Sequence, residues 1–238
     1  NEDINDYTAR SQRGELPVRM TVCLDRLFDM PHTSRKEHKD PFRAAQMGSF
    51  KSFSDGSLGS RSAKLYEDYA DDPGNTGMLV ITPEDLAKRM YAAYRKGLQP
   101  ATHCIGDKAL EITLDAVEYC LAQGLKDGMT KKEQMQRLPF RVIHAQMATP
   151  ELIERMKKLP LVLDVQPTFL MTDMHWIEER VGKERAVLSY PWKTYLDNGI
   201  VMAGGSDSPV ESFNPWVGIF AAVARQDMNC YPEGGYHP

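Results

Sequence analysis

The amino-acid sequence predicts an α/β fold built on a parallel sheet, and three observations carry that expectation. From Gly77 onward one arrangement recurs: a capped amphipathic helix, a tight turn, then a short apolar strand. The strands are near-continuous apolar runs, as expected where helices cover the sheet, and they alternate with helical patterns. Polar residues gather at the C-terminal ends of these strands, where parallel α/β folds place their sites. A closed barrel and a doubly wound sheet satisfy the pattern equally well. No GxGxxG follows a strand, so a dinucleotide-binding fold has no positive support.

Taken in order, Val18 to Leu24 and Phe50 to Phe53 are strand candidates, and the charge run Arg35 to Asp40 reads as a solvated loop or helix face. Thr82-Pro83-Glu84-Asp85 supplies a hydroxyl cap, a proline at the first helical position and acids in the first turn. Leu86, Met90 and Tyr94 then form one apolar stripe, and Gly97 is the stop. Leu98 to His103 is a strand that Pro100 marks as irregular. A helix starts near Gly106-Asp107, and Gly124 to Arg137 is a polar surface connection, partly helical. Phe140 to His144 is a strand, and Thr149-Pro150-Glu151 opens another capped helix. Leu161 to Gln166 is a strand ended by Pro167. Helices follow around His175 to Val181 and Trp192 to Leu196. Ile200 to Ala203 is the last strand and runs into Gly204-Gly205-Ser206-Asp207.

At 238 residues the chain suits one large domain over 1–238, since barrels of this kind run to about 250 residues. A composition of 42% hydrophobic and 26% charged residues speaks against disorder throughout. A net charge of −4 offers no electrostatic case for nucleic acid or an anionic membrane. The longest apolar runs fall short of the roughly 18 residues a membrane span needs, and no signal peptide opens the chain. Cys23, Cys104, Cys120 and Cys230 form no CxxC pair, which fits reduced thiols in a cytoplasmic protein. The expected partners are a small-molecule substrate and further copies of the chain.

Four residues at strand ends could carry chemistry: Lys51, His103, His144 and Asp207. Two histidines and an aspartate suit a divalent metal such as zinc. Each also has a plainer reading. A histidine at a strand end is commonly just hydrogen-bonded, Asp207 could cap a helix that Pro209 helps to start, and Lys51 could be a solvated lysine. His32, His38, His175 and His237 lie in polar stretches and read as structural or solvent-facing.

The motifs decide between these readings. Phe50-Lys-Ser-Phe-Ser-Asp-Gly-Ser-Leu-Gly-Ser-Arg61 and Tyr69-Ala-Asp-Asp-Pro-Gly-Asn75 resemble the "K-x-F-x-DGSLGSRTA … YxDDPGN" stretch of the amidohydrolase-3 group, which includes N-substituted formamide deformylases. Thr102-His-Cys-Ile-Gly-Asp107 is similar to its "HAIGD" segment, and Val142-Ile-His-Ala-Gln146 to its "IEHAQ". Gln166-Pro167 with Asp173, Trp176, Gly182 and Arg185 resembles its "QP…D…W…RLGxER" region. Gly205-Ser-Asp-Ser-Pro-Val210 resembles its "GSDAPV". The likeness runs from Lys51 to about Arg225, with the motifs in order.

This resemblance implies a partial (β/α)8 TIM-type barrel of the metal-dependent hydrolase kind, from about its second or third strand to its eighth, with one or two divalent metals, usually zinc. His103 and His144 match ligands on the fifth and sixth strands. Asp207 matches the eighth-strand aspartate that binds metal and carries the proton. Lys51 matches a fourth-strand lysine that is carboxylated in some members to bridge two metals. The implied reaction is hydrolysis of a non-peptide C–N bond in an amide, formamide or imide-like small molecule, driven by a metal-activated water. Members carry a His-x-His pair on the first strand, and this sequence has none. The chain is therefore expected to be part of a longer enzyme and inactive alone. The rival readings are a non-catalytic binding or assembly module on a degenerate barrel, and a metal-free lyase or isomerase with Lys51 as its Schiff-base amine.

Overall fold

The structure, a computed structural model, describes residues 2–25 and 45–237. The charge run Arg35 to Asp40, with His32 and His38, lies outside the described residues. In chain order the elements are α1 (Glu2–Arg13), β1 (Met20–Leu24), β2 (Ala45–Phe53), α2 (Pro83–Arg95), β3 (Gln99–Cys104), α3 (Asp107–Lys126), α4 (Lys131–Met135) and β4 (Phe140–His144). They continue with α5 (Pro150–Met156), β5 (Leu161–Val165), α6 (Pro167–Asp173), α7 (Ile177–Val181), α8 (Lys183–Ala186), α9 (Trp192–Asp197), β6 (Met202–Gly204) and α10 (Pro215–Ala224).

The six described strands form one sheet in the order β1-β2-β3-β4-β5-β6, every neighbouring pair parallel. A doubly wound sheet reverses its strand order at a switch point. This one never does, so it curls as a half-barrel and the doubly wound alternative falls away.

Local chemistry sets the helix starts. The Thr82 hydroxyl accepts the Asp85 backbone N–H at α2, and the Thr149 hydroxyl accepts that of Leu152 at α5. Thr130 and Glu133 form a reciprocal capping box at α4. Other expectations shift. Pro100 lies within β3, in register with Phe50, rather than disrupting it. Gly124 lies inside α3, close against the Gln134 side chain, which donates to the Leu121 carbonyl. Pro167 does not merely end β5; it is the first residue of α6, a helix the sequence pattern did not disclose. The last described helix begins at Pro215, six residues beyond Pro209, and its cap is Asn214.

Register sorts the side chains onto two faces, because parallel partners point the same way and successive residues alternate. Phe50, Thr102, Cys104, Phe140, Val142, Leu161, Leu163 and Val165 are buried beneath the helices. Leu86 and Met90 of α2, and Leu110, Leu114 and Val117 of α3, join most of them in the main core. Truncating one such leucine to alanine costs about 2–5 kcal/mol. The opposite face carries Lys51, Phe53, Ala101, His103, Arg141, Ile143 and Asp164, linked by the pairs Lys51–Ala101, Phe53–His103, His103–Ile143 and Ile143–Asp164. This concave face is only partly covered and holds the polar residues.

Candidate metal centre

His103 is the next-to-last residue of β3 and stands on the concave face. Its Nε2 lies 2.9 Å from the Gly56 carbonyl oxygen. A carbonyl can only accept, so Nε2 carries the proton and the Nδ1 lone pair is left available. The Gly56 carbonyl is held in place by the residue before it. Asp55 accepts the backbone N–H groups of Ile105 at 3.1 Å, Gly106 at 2.9 Å and Lys64 at 2.9 Å, pinning the segment after β2 to the end of β3. A Cβ on Gly106 would lie 2.0 Å from the Lys64 carbonyl oxygen, so this approach is open only to glycine. Burial pushes the Asp55 carboxyl up to about 6, although the three N–H groups pull the other way. Burial also holds His103 below the ordinary histidine value. The imidazole is therefore neutral at pH 7, and its 3.5 Å approach to Asp55 is not an ion pair.

His144 ends β4. Strict alternation would turn its ring toward the helices, beside Phe140 and Val142. Instead its backbone is left-handed, with φ 75°, and Ala145 follows at φ 44°. Such a conformation costs a non-glycine residue about 1–3 kcal/mol and persists only where surroundings enforce it. The ring meets that of His103 edge-on, with centroids 4.5 Å apart. His144 Nδ1 is 2.7 Å from Gln166 Oε1. The Gln166 amide is oriented in turn by Nε2 donating to the Asp164 carbonyl at 3.0 Å. Oε1 is thus the acceptor and Nδ1 the donor, which leaves the His144 Nε2 lone pair available. Burial first, then the neighbouring His103 and Lys51, push His144 down to about 3, so it too is neutral at pH 7.

Lys51 lies on the concave face with Nζ 4.8 Å from the Phe53 ring centroid. Burial lowers its pKa, and the charge of Asp207 opposes that shift. Asp207 follows β6 on the loop after Gly205, is exposed, and has φ 55°. Its charge also acts on His103. The structure therefore brings the two histidines into contact and leaves Lys51 within electrostatic range of both and Asp207 within range of His103. Among the described residues no three His, Cys, Asp or Glu side chains stand close enough to hold one ion between them. His175 instead pairs with Asp227, Nε2 to Oδ2 3.1 Å, and stacks on Tyr231.

Sequence reasoning gave no role to Asp55, Gln166 or the buried trio Gln146, Asp173 and Tyr190. Asp173 Oδ2 accepts from Gln146 Nε2 at 2.7 Å and from the Tyr190 hydroxyl. Burial pushes the Asp173 carboxyl up to about 6. Asp55, Gln146, Gln166 and Asp173 all lie inside the motifs quoted above, so a signal was present without a role attached to it.

The donor set suits a borderline divalent cation: two neutral imidazoles, each with one nitrogen proton engaged and the other nitrogen bare. His103 could bind through Nδ1 and His144 through Nε2, with Asp207 as the nearby carboxylate.

Comparison with known proteins places the chain, though not this donor set, in a class. The profile of the amidohydrolase family matches residues 1–238, and the chain belongs to that family. It is 40% identical over 184 residues to YtcJ of Bacillus subtilis (strain 168), covering 77% of this chain and 32% of that protein. It is 41% identical over 181 residues to Protein LONG AFTER FAR-RED 3 of Arabidopsis thaliana, covering 75% and 29%. Among solved structures it resembles an uncharacterized metal-dependent hydrolase from Pyrococcus furiosus, with a TM-score of 0.66 and 36% identity over 75% of this chain and 34% of that one. The chain spans about a third of the length of these relatives. Among the described residues no helix is long and apolar enough to cross a membrane.

Proposed function

We propose that this chain supplies His103, His144, Asp207 and Lys51 to the metal centre of a hydrolase that cleaves a non-peptide C–N bond in an amide, formamide or imide-like small molecule. One observation carries the reading: two neutral imidazoles, reached from different strands, meet on the concave face with their free nitrogens on opposite ring positions. Kinship with hydrolases that are metal-dependent by name supports it. A divalent cation such as zinc, when bound, acts as a Lewis acid and lowers the pKa of water at the site toward about 7.

The chain's own residues supply the rest. Asp207, exposed at the mouth, takes a proton from the attacking water and delivers it to the leaving nitrogen as the C–O bond forms and the C–N bond breaks. Lys51 is depressed by burial, so more of it is the free amine that adds carbon dioxide, releasing one proton to become a carbamate. That carbamate would give the concave face a second anionic ligand. Membership of the formamide deformylase-like subgroup follows from the same motifs and is part of the proposal.

The test is zinc content by mass spectrometry after dialysis, with hydrolysis of N-formyl and N-acetyl amines measured on the full reading frame that carries this sequence. The wild type is expected to retain zinc and release amine, and His103→Ala with His144→Ala to lose both. Equal zinc content in the double variant would overturn the reading.

A further inference from the structure

We propose that Gln166 is a positioning residue: it fixes His144 in the tautomer with the proton on Nδ1 and so presents the Nε2 lone pair to the concave face. The proposal rests on the reading of His144 as a metal ligand. Three observations carry it. Gln166 Oε1 is 2.7 Å from His144 Nδ1, across the junction between β5 and α6. The amide cannot usefully flip, because its Nε2 donates to the Asp164 carbonyl at 3.0 Å and a flipped amide would set oxygen against oxygen. Gln166 is 7% exposed, so water does not readily replace either bond.

The backbone holds the amide still. Pro167 occupies the first position of α6 and restricts the residue before it, which sits at φ −115°, ψ 89°. Asp164, whose carbonyl orients the amide, is itself tied by its carboxylate to Arg141, with Nε to Oδ2 2.7 Å. The chain of contacts thus runs from Arg141 through Asp164 and Gln166 to the imidazole. A glutamine that only filled space would need neither the acceptor facing Nδ1 nor the donor facing Asp164. An acceptor on the far nitrogen of a ligating histidine fixes its ring and raises the basicity of the other nitrogen.

The experiment labels the histidines with 15N and reads the imidazole tautomers at pH 8 in metal-free protein, alongside zinc affinity by competition with a chromophoric chelator. Wild-type His144 is expected as the Nδ1–H tautomer. Gln166→Leu, which removes the acceptor, should move it toward Nε2–H and weaken zinc binding about 10–100-fold. Gln166→Glu, which restores an acceptor, should return the Nδ1–H form. A wild type already in the Nε2–H form, or a Gln166→Leu protein that keeps Nδ1–H, would overturn the proposal. A tautomer shift with unchanged zinc affinity would uphold the positioning role and refute His144 as a ligand. Should the leucine variant fail to fold by circular dichroism, the wild-type spectrum and Gln166→Glu still decide the matter.

Discussion

The His103 and His144 rings meet edge-on at 4.5 Å, although the sheet register pairs His103 with Ile143 and not with His144. A left-handed backbone at the last residue of β4 makes this contact, by carrying a ring out of the alternation of its own strand. The site therefore depends on the hydrogen bonds that hold that ring, and on the loop after β2 that holds its neighbour.

In the proposed mechanism Asp207 moves the proton. In the full reading frame, Asp207→Asn is expected to fold normally and to lose at least about a hundredfold in hydrolysis rate, the scale of general acid–base catalysis. Steady-state turnover on any accepted amide, with the far-ultraviolet spectrum as a folding control, checks this. Turnover near wild type would remove the residue from the mechanism.

Asp55 answers three N–H groups at once, those of Ile105 and Gly106 buried and that of Lys64 half-buried. Asn in its place retains acceptor capacity at one oxygen only, and Ala retains none. Each N–H left without a partner costs about 1–3 kcal/mol. Urea denaturation is therefore expected to rank wild type above Asp55→Asn and Asp55→Ala lowest.

Gly106→Ala tests the same junction from the other side. Its Cβ would meet a backbone oxygen at 2.0 Å, and a backbone atom cannot swing aside as a side chain can. The expected loss is about 1–3 kcal/mol, the usual cost of overpacking. An unchanged denaturation midpoint would mean that the loop is less tightly seated than its hydrogen bonds indicate.

Asp173 should leave a mark on the pH dependence of stability. Its folded carboxyl is raised to about 6 from 3.8, so the native state holds the proton more tightly than the unfolded chain. The resulting stabilisation is complete below the unfolded value, fades as pH rises toward 6, and is gone above it. Asp55 acts in the same direction, while the depressed His103 and His144 act in the opposite one. The difference between wild type and Asp173→Asn isolates the one group. Relative to the variant, wild type is expected to lose up to about 3 kcal/mol between pH 4 and 7, measured by urea unfolding at stepped pH.

The far side of β6 carries no paired strand among the described residues, and α10 exposes Trp216 at 74% and Val223 at 81%. Unpaired strand edges and bare apolar faces favour association. The 238-residue chain is expected to self-associate with rising concentration in equilibrium ultracentrifugation. A monomer across the accessible range would count against that expectation.

What could be read along the chain was local. The caps at Thr82 and Thr149 lie three residues from the N–H groups they accept, and six apolar runs between turns marked six strands. The family motifs singled out Lys51, His103, His144 and Asp207 for the same reason, since each motif is contiguous. The tertiary structure alone decided the rest. The strand pattern by itself left a barrel and a doubly wound sheet open; the motifs implied the barrel, and the unreversed strand order, which no single segment encodes, bears it out. Strand periodicity would have left the His144 ring among the helices, and only the left-handed turn, enforced by packing, brought it to His103. Asp55 and Gln166 had no legible role because the partners that tie them to the site, Ile105 and His144, lie 50 and 22 residues away, and a hydrogen bond across that distance exists only once the sheet has formed.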